Sequence, residues 1–494
     1  MLFGFRKLSL NISKRYASAL HHLHGKRVNS KNCKSEIDVL NPATGKRIET
    51  LQESSIEDVD AAVHSASEAF KSWAEFAPAD RGRILYNAAQ LIKQRADEIA
   101  LVEVQDVGKT LYEAVEDLQG CAATLEYYAA LATTYDDAGQ FSQTKDGYGY
   151  VKKEPLGVCC GIGAWNYPFQ MAVFKAAPAL TCGNTMVFKP SPLTPLSALL
   201  FADILYECGI PKGTFNVVQG GSTVGESLIK HELVRKVTMT GSVIGGRNVM
   251  KACSEGPKPV TLELGGKSPL IIFNDANFEN ALKGVMMANF LNQGQVCSNG
   301  TRVFVQESIY DKFLEELVKA TENLKVGDPL VKDTKVGAII DKNQSNKILQ
   351  YIDSARKENG SIECGGLKLE LPGELSGGNY ISPCIITNLS DNATAVREEI
   401  FGPVLTLLKF NEEEEVIARA NATSDVRRIA TMASKLESGV VYVNTYNDYP
   451  PNLPFGGVKS SGFGRELGKG SLEHFVYHKT VHVRVENLET PLVN

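Results

Sequence analysis

Apolar positions change their period along the chain, and each change marks an element. Between residues 55 and 93, Val59, Ala62, Val63, Ala66 and Phe70 recur at helical spacing, with Ser54 or Ser55 as a cap. The helical pattern continues to about residue 134. Before it, VLNPATGKRIETL (39–51) reads as strand, Pro/Gly turn, strand. Residues 148–153 alternate, and 158–162 form a short apolar run that ends at Gly163.

An alternating rhythm follows. Residues 185–189, 214–218, 236–240 and 260–262 read as strands, and 195–208, 224–230 and 243–252 as helices. Strands alternating with helices predict an α/β fold with a parallel sheet covered on both faces. A second α/β stretch runs from about 267 to 446. Near the C-terminus KTVHVRVE (479–486) alternates like a half-exposed strand. The acidic run at 412–415 reads as a solvated helix start.

Composition narrows the class. The 494 residues are 43% hydrophobic and 22% charged, which suits a globular chain of two or three domains. No apolar run reaches the length of a membrane span. A net charge of −5 without a basic stripe argues against nucleic-acid binding. The ten cysteines are scattered with no C-x-x-C, as expected of reduced thiols inside a cell, and no residues are assigned to a metal.

The first twenty residues differ from the rest. They hold Arg6, Lys7, Lys14 and Arg15, and the first acid in the chain is Glu36. As a helix they place Leu2, Phe5, Leu8 and Ile12 on one face. An acid-poor, amphipathic, Arg- and Ser-containing start predicts a mitochondrial transit peptide over 1–20, and hence the matrix; the alternative is a basic tail on a cytoplasmic protein.

Two residues stand out as chemistry. Cys297, in GQVCSNG, lies between Gly294 and Gly300, where backbone can approach a ligand. A thiolate there would be a strong nucleophile. Glu263, in TLELGGKSP, follows an apolar strand and precedes a Gly-Gly turn. Partial burial would raise its pKa toward the range of a general base. A Cys–His hydrolase is the first rival, but none of the eight histidines has a motif-like setting. Gly241-Ser242 ends a strand and opens a helix, which suits a pyrophosphate, and Lys189 could reach a ribose or phosphate.

Together the motifs resemble the aldehyde dehydrogenase superfamily, over nearly the whole chain after about residue 22. They are WNYP (165–168), LELGGKSP with Glu263, GQVC with Cys297, EEIFGPV (398–404) and PFGGVKSSGFGRELG (454–468). EPLGVCCGIGAWNYPFQ (154–170), KPVTLELGGKSPLIIF (258–273) and NGTRVFVQ (299–306) look most like the aminoaldehyde branch. The resemblance implies a Rossmann-type cofactor domain (22–136 and 156–265), an α/β catalytic domain (266–476) and a small β oligomerisation arm (137–155 and 477–494). It implies that Cys297 attacks an aldehyde, that Asn166 holds the oxyanion and that Glu263 activates the hydrolytic water. Lys189, Gly241, Ser242, Glu399, Phe401 and Trp165 would hold NAD. Tyr167, Phe174, Phe463, the segment 445–449 and Asp448 would form the substrate mouth, for an aminoaldehyde such as 4-trimethylaminobutyraldehyde or betaine aldehyde. A homodimer or homotetramer and a place in carnitine biosynthesis are implied too.

Two departures from the family pattern stand out. Many NAD-preferring members carry an acid three residues after the lysine; Pro192 stands there, which leaves NADP open. At NATSD (421–425) about one strand of sequence is missing. The catalytic sheet is then expected to be rearranged, unless the chain is an isoform or a faulty gene model. Three alternatives remain: a silent binding or structural relative, a CoA-acylating enzyme, and a general aliphatic aldehyde dehydrogenase. Glu263 speaks against the second.

Overall fold

The computed structural model describes residues 21–30, 32–33, 35–135, 140–422 and 435–487. The first part of the chain runs β1 (His21–Leu23), β2 (Lys26–Val28), β3 (Glu36–Leu40), β4 (Arg47–Gln52), α1 (Ile56–Trp73), α2 (Pro78–Gln94), α3 (Ala96–Val107), α4 (Leu111–Leu131), β5 (Phe141–Thr144) and β6 (Gly147–Pro155). An alternating stretch follows: β7 (Val158–Ile162), α5 (Pro168–Thr181), β8 (Thr185–Lys189), α6 (Leu196–Glu207), β9 (Phe215–Val217), α7 (Ser222–Lys230), β10 (Val234–Thr240), α8 (Val243–Ser254) and β11 (Val260–Glu263). The remainder is β12 (Pro269–Ile272), α9 (Phe278–Phe290), β13 (Arg302–Gln306), α10 (Glu307–Glu322), α11 (Lys342–Lys357), β14 (Ser361–Cys364), β15 (Lys368–Leu369), β16 (Tyr380–Ile381), β17 (Cys384–Thr387), α12 (Thr394–Arg397), β18 (Val404–Phe410), α13 (Glu413–Asn421), β19 (Gly462–Phe463) and β20 (Val476–Arg484).

Ser55 caps α1, accepting from the Asp58 N–H while the Asp58 carboxylate reaches back. Thr110 and Glu113 close the same box at α4. The strands β7, β8 and β9 are buried at every residue, which explains their unbroken apolar text. The first sheet runs β19-β11-β10-β7-β8-β9-β1-β2, parallel from β11 to β9. The second runs β12-β13-β18-β17-β14, parallel except for β14. A third, β20-β6-β5, is antiparallel and joins the two chain segments expected to form the arm.

Sequence and structure differ in two places. The sheet already begins at His21, because β1 pairs with β9 through His22 and Val217. Residues 462–463, expected in the catalytic part, join the first sheet against Leu262 and Glu263. Residues 439–450, although rich in Val and Tyr, form no strand, and β12 stays at the sheet's margin. The leader at 1–20, part of the arm (137–139 and 488–494) and residues 423–425 of the gap lie outside the described residues, as do 136 and 426–434. Among the described residues, no helix is long and apolar enough to cross a membrane.

Candidate active site

Cys297 follows a backbone turn that few residues can adopt. Asn292, Gln293 and Gly294 all have positive φ (49°, 54° and 69°). At Gly294 a Cβ would meet the Gly402 carbonyl oxygen at 2.1 Å, so only glycine fits. The turn is tied from several sides. Glu113 Oε1 accepts from the Asn292 N–H at 2.8 Å, and Gln293 Nε2 donates to the Gly108 carbonyl at 3.1 Å. Asn299 Nδ2 donates to the Gly294 carbonyl at 2.7 Å.

Asn166 belongs to the same assembly. Its Nδ2 donates to the Gln295 carbonyl at 2.9 Å, and its own carbonyl accepts from Asn292 Nδ2 at 3.0 Å. One cavity is lined by Cys297, Glu263, Ser268, Ser438, Phe455 and Gly456. Nucleophile and base candidate thus share a wall, although Glu263 ends a strand of the first sheet and Cys297 lies in the loop that leads into β13 of the second.

Glu263 ends β11 and is buried, with Oε1 unpartnered among the described residues. Burial first, and the Glu466 carboxylate second, push its pKa well above the usual carboxylate range. Lys175 and Arg465 oppose that shift. Lys175 Nζ bonds Glu466 Oε1 at 2.5 Å and Thr240 Oγ1 at 2.7 Å. Neither Lys175 nor Glu466 was singled out in the sequence; only the fold reveals them as neighbours of Glu263.

The cofactor candidates gather at the carboxyl ends of parallel strands, where doubly wound sheets bind ligands. Lys189 ends β8; its Nζ donates to the Pro190 and Gly220 carbonyls at 2.9 and 2.8 Å. Burial pushes its pKa down to about 8. Gly241 follows β10, and Ser242 caps α8 by accepting from the Gly245 N–H at 3.1 Å. Glu399 Oε1 accepts from the Gly266 N–H at 3.0 Å. Phe401 meets Trp165 edge to face at 5.1 Å. An amine, a helix terminus and a carboxylate lie at the ends of β8, β10 and β11, and the Trp165–Phe401 pair adds an aromatic face, which fits a dinucleotide.

The substrate candidates divide. Tyr167 and Phe174 are buried, and Phe174 packs on Tyr449 at 6.2 Å. Asp448 is exposed. The acid that faces these aromatics is Asp117: after burial, its charge does most to push up the hydroxyls of Tyr167 and Tyr449. Asp117 pairs with the buried Lys109 at 2.6 Å, and the Lys109 ammonium sits 4.0 Å from the Tyr167 ring centre. One face of Tyr167 is therefore already taken by a cation. Phe463 is exposed and opposes Leu262 in β19. In the sequence Asp117 reads as an ordinary helical acid, which is why it was missed.

The aldehyde dehydrogenase family model matches residues 28–481. The chain belongs to the aldehyde dehydrogenase family. This aldehyde dehydrogenase is 48% identical over 484 residues to the mouse (Mus musculus) 4-trimethylaminobutyraldehyde dehydrogenase, covering 95% of this chain and 97% of the mouse one. Against the human (Homo sapiens) protein of the same name it is 47% identical, with the same coverage. Its fold matches betaine aldehyde dehydrogenase from Staphylococcus aureus, solved with NAD+, at a TM-score of 0.94 and 34% identity over 99% of both chains. An aldehyde dehydrogenase from Bacillus cereus, solved as an NAD+ complex, matches at 0.91 and 37% identity over 96% of this chain and 98% of that one. The chain is thus an oxidoreductase, as its motifs suggested.

Proposed function

We propose that this aldehyde dehydrogenase oxidises an aldehyde carrying a positive nitrogen, such as 4-trimethylaminobutyraldehyde or betaine aldehyde, to the carboxylic acid with NAD+. The observation that carries the reading is the shared cavity of Cys297 and Glu263. The names of its relatives support the substrate class.

Cys297 sulfur, as thiolate, adds to the carbonyl carbon, and the oxygen takes up the negative charge. Asn166 Nδ2 has two hydrogens; one serves the Gln295 carbonyl and the other is available to that oxygen. Lys189, Gly241, Ser242, Glu399, Phe401 and Trp165 would hold NAD+, which supplies the hydride acceptor. The acyl group then remains on Cys297 as a thioester. Glu263, with Oε1 unpartnered among the described residues and its pKa raised, takes a proton from water, whose oxygen displaces the sulfur and frees the acid. Purified protein given betaine aldehyde and NAD+ should produce NADH; no NADH with either aldehyde would reject the reading.

A second reading, an impaired relative, draws on one observation. A cavity of about 760 Å³ runs between β12, α9 and residues 442–446, and it meets the catalytic cavity at Ser268 and Ser298. The NADH assay separates the two readings. The proposal extends to the matrix as the location, on the leader composition, and to a homo-oligomer built through the β20-β6-β5 sheet. Its marginal strand β20 has backbone groups to satisfy, and pairing with another subunit would do so. A stable monomer at micromolar concentration in sedimentation would reject that assembly.

A further inference from the structure

Lys189 and Glu53 hold opposite ends of one peptide group. Lys189 Nζ donates to the Gly220 carbonyl at 2.8 Å, and the Gly221 N–H donates to Glu53 Oε1 at 2.6 Å. That peptide opens α7, with Gly221 as its N-cap. Gly220 has a φ of 145°, and a Cβ there would lie 2.9 Å from Glu53 Oε1, so the carboxylate is pressed against the turn.

Glu53 is held from behind. The Ser35 hydroxyl donates to Oε2, and the Glu53 N–H donates to the Ser35 carbonyl at 2.9 Å. The neighbouring Ser54 N–H donates to the Gln219 carbonyl at 2.9 Å, and its hydroxyl accepts from the Gln219 N–H at 3.1 Å. The segment carrying the acid and the turn it faces are therefore fixed to each other. The hydrogen bonds from Ser35, then Gly221, and last the charge of Lys189 hold the Glu53 carboxyl below its usual pKa against the opposing effect of burial, so it is ionised at neutral pH.

A helix N-terminus beside a lysine attracts phosphate. With Lys189 at the adenosine ribose, a phosphate on the 2′-oxygen would meet both attractions. Glu53 cancels them: it occupies the first free N–H of α7 and sets a negative charge beside the amine. The acid that would do this from three residues after the lysine is absent, because Pro192 stands there.

We propose that Glu53, contributed by the chain after β4, takes the place of that missing acid and makes the ribose site select NAD+ over NADP+ by repelling a 2′-phosphate. The proposal rests on Lys189 being the ribose lysine of the function proposed above.

Calorimetric titration of the intact protein with NAD+ and with NADP+ tests it. Glu53→Gln keeps an oxygen for the Gly221 N–H and removes the charge. It should tighten NADP+ about tenfold relative to NAD+, and Glu53→Arg should shift the ratio further in the same direction. Thermal unfolding without ligand reads whether either variant has lost its fold. Pro192→Glu leaves the Glu53 hydrogen bonds in place and should move the ratio further toward NAD+. A Kd ratio unchanged in both Glu53 variants overturns the proposal. Wild-type protein that binds neither dinucleotide overturns the ribose-site reading, and the proposal with it.

Discussion

Asn166 reaches across to the backbone of the turn before Cys297: its side-chain amide donates to the Gln295 carbonyl at 2.9 Å, two residues before the cysteine. The donor proposed for the oxyanion is thus aimed by the same peptide segment that carries the sulfur. Asn166→Ala should lower kcat by about two to three orders of magnitude, the usual cost of one oxyanion donor. Steady-state kinetics would show the loss in kcat rather than in KM. An unchanged kcat would remove Asn166 from the chemistry.

Cys297→Ser should abolish NADH formation, because a hydroxyl without a strong base is barely ionised near neutral pH. The swap is nearly isosteric at a half-exposed position, so the melting temperature should hold. Glu263→Gln should give one burst of NADH and then stall at the thioester, which rapid-mixing absorbance would resolve.

The pH profile follows from the neighbours of Glu263. Burial and Glu466 raise its pKa, so the basic form, and turnover with it, is lost as pH falls through that raised value. Glu466→Gln removes a like charge and leaves Lys175 with one carboxylate fewer. Both effects lower the Glu263 pKa. The acidic limb of kcat should therefore move to lower pH; a shift to higher pH would reverse the assignment.

Charge recognition can be measured with a pair of substrates. A trimethylammonium aldehyde should be preferred over its tert-butyl isostere by about thirtyfold in kcat/KM, the equivalent of ~2 kcal/mol of desolvated cation–π attraction. Because Lys109 already covers one face of Tyr167, Tyr449 and Phe174 should carry most of the effect. Tyr449→Ala should narrow the ratio. Equal constants in the wild type would favour a general aliphatic enzyme.

Gly294→Ala tests the turn itself. A methyl group 2.1 Å from the Gly402 oxygen, at a φ of 69°, should cost about 3 kcal/mol and be seen as a lower melting temperature together with lost activity.

The alternating stretch from β7 to β11 was legible because fully buried parallel strands write themselves as short apolar runs between glycines and helix starts. β19 was not, because its two residues become a strand only by lying against Leu262 and Glu263. β1 and β2 were missed for a related reason: HHLHGKRV has no apolar alternation, and His22 is buried by stacking on Tyr206 at 4.8 Å rather than by being hydrophobic. Cys297 could be read because glycines flank it, and Glu263 because it ends an apolar strand before a Gly-Gly turn. Asp117, Lys175, Glu466 and Glu53 look like ordinary charged surface until the fold buries or pairs them.

The pairing of β1 with β9 also sets an order of events. His22 can find Val217 only after everything between them has been made, so this pairing must wait for β9, whereas β1 can pair with β2 as soon as both have been made. During synthesis the β1–β2 hairpin therefore stays off the sheet while the helices behind it condense. Closing so long a loop favours a late step in folding. A chain interrupted before Val217 would leave the β1–β2 hairpin without the strand that joins it to the sheet.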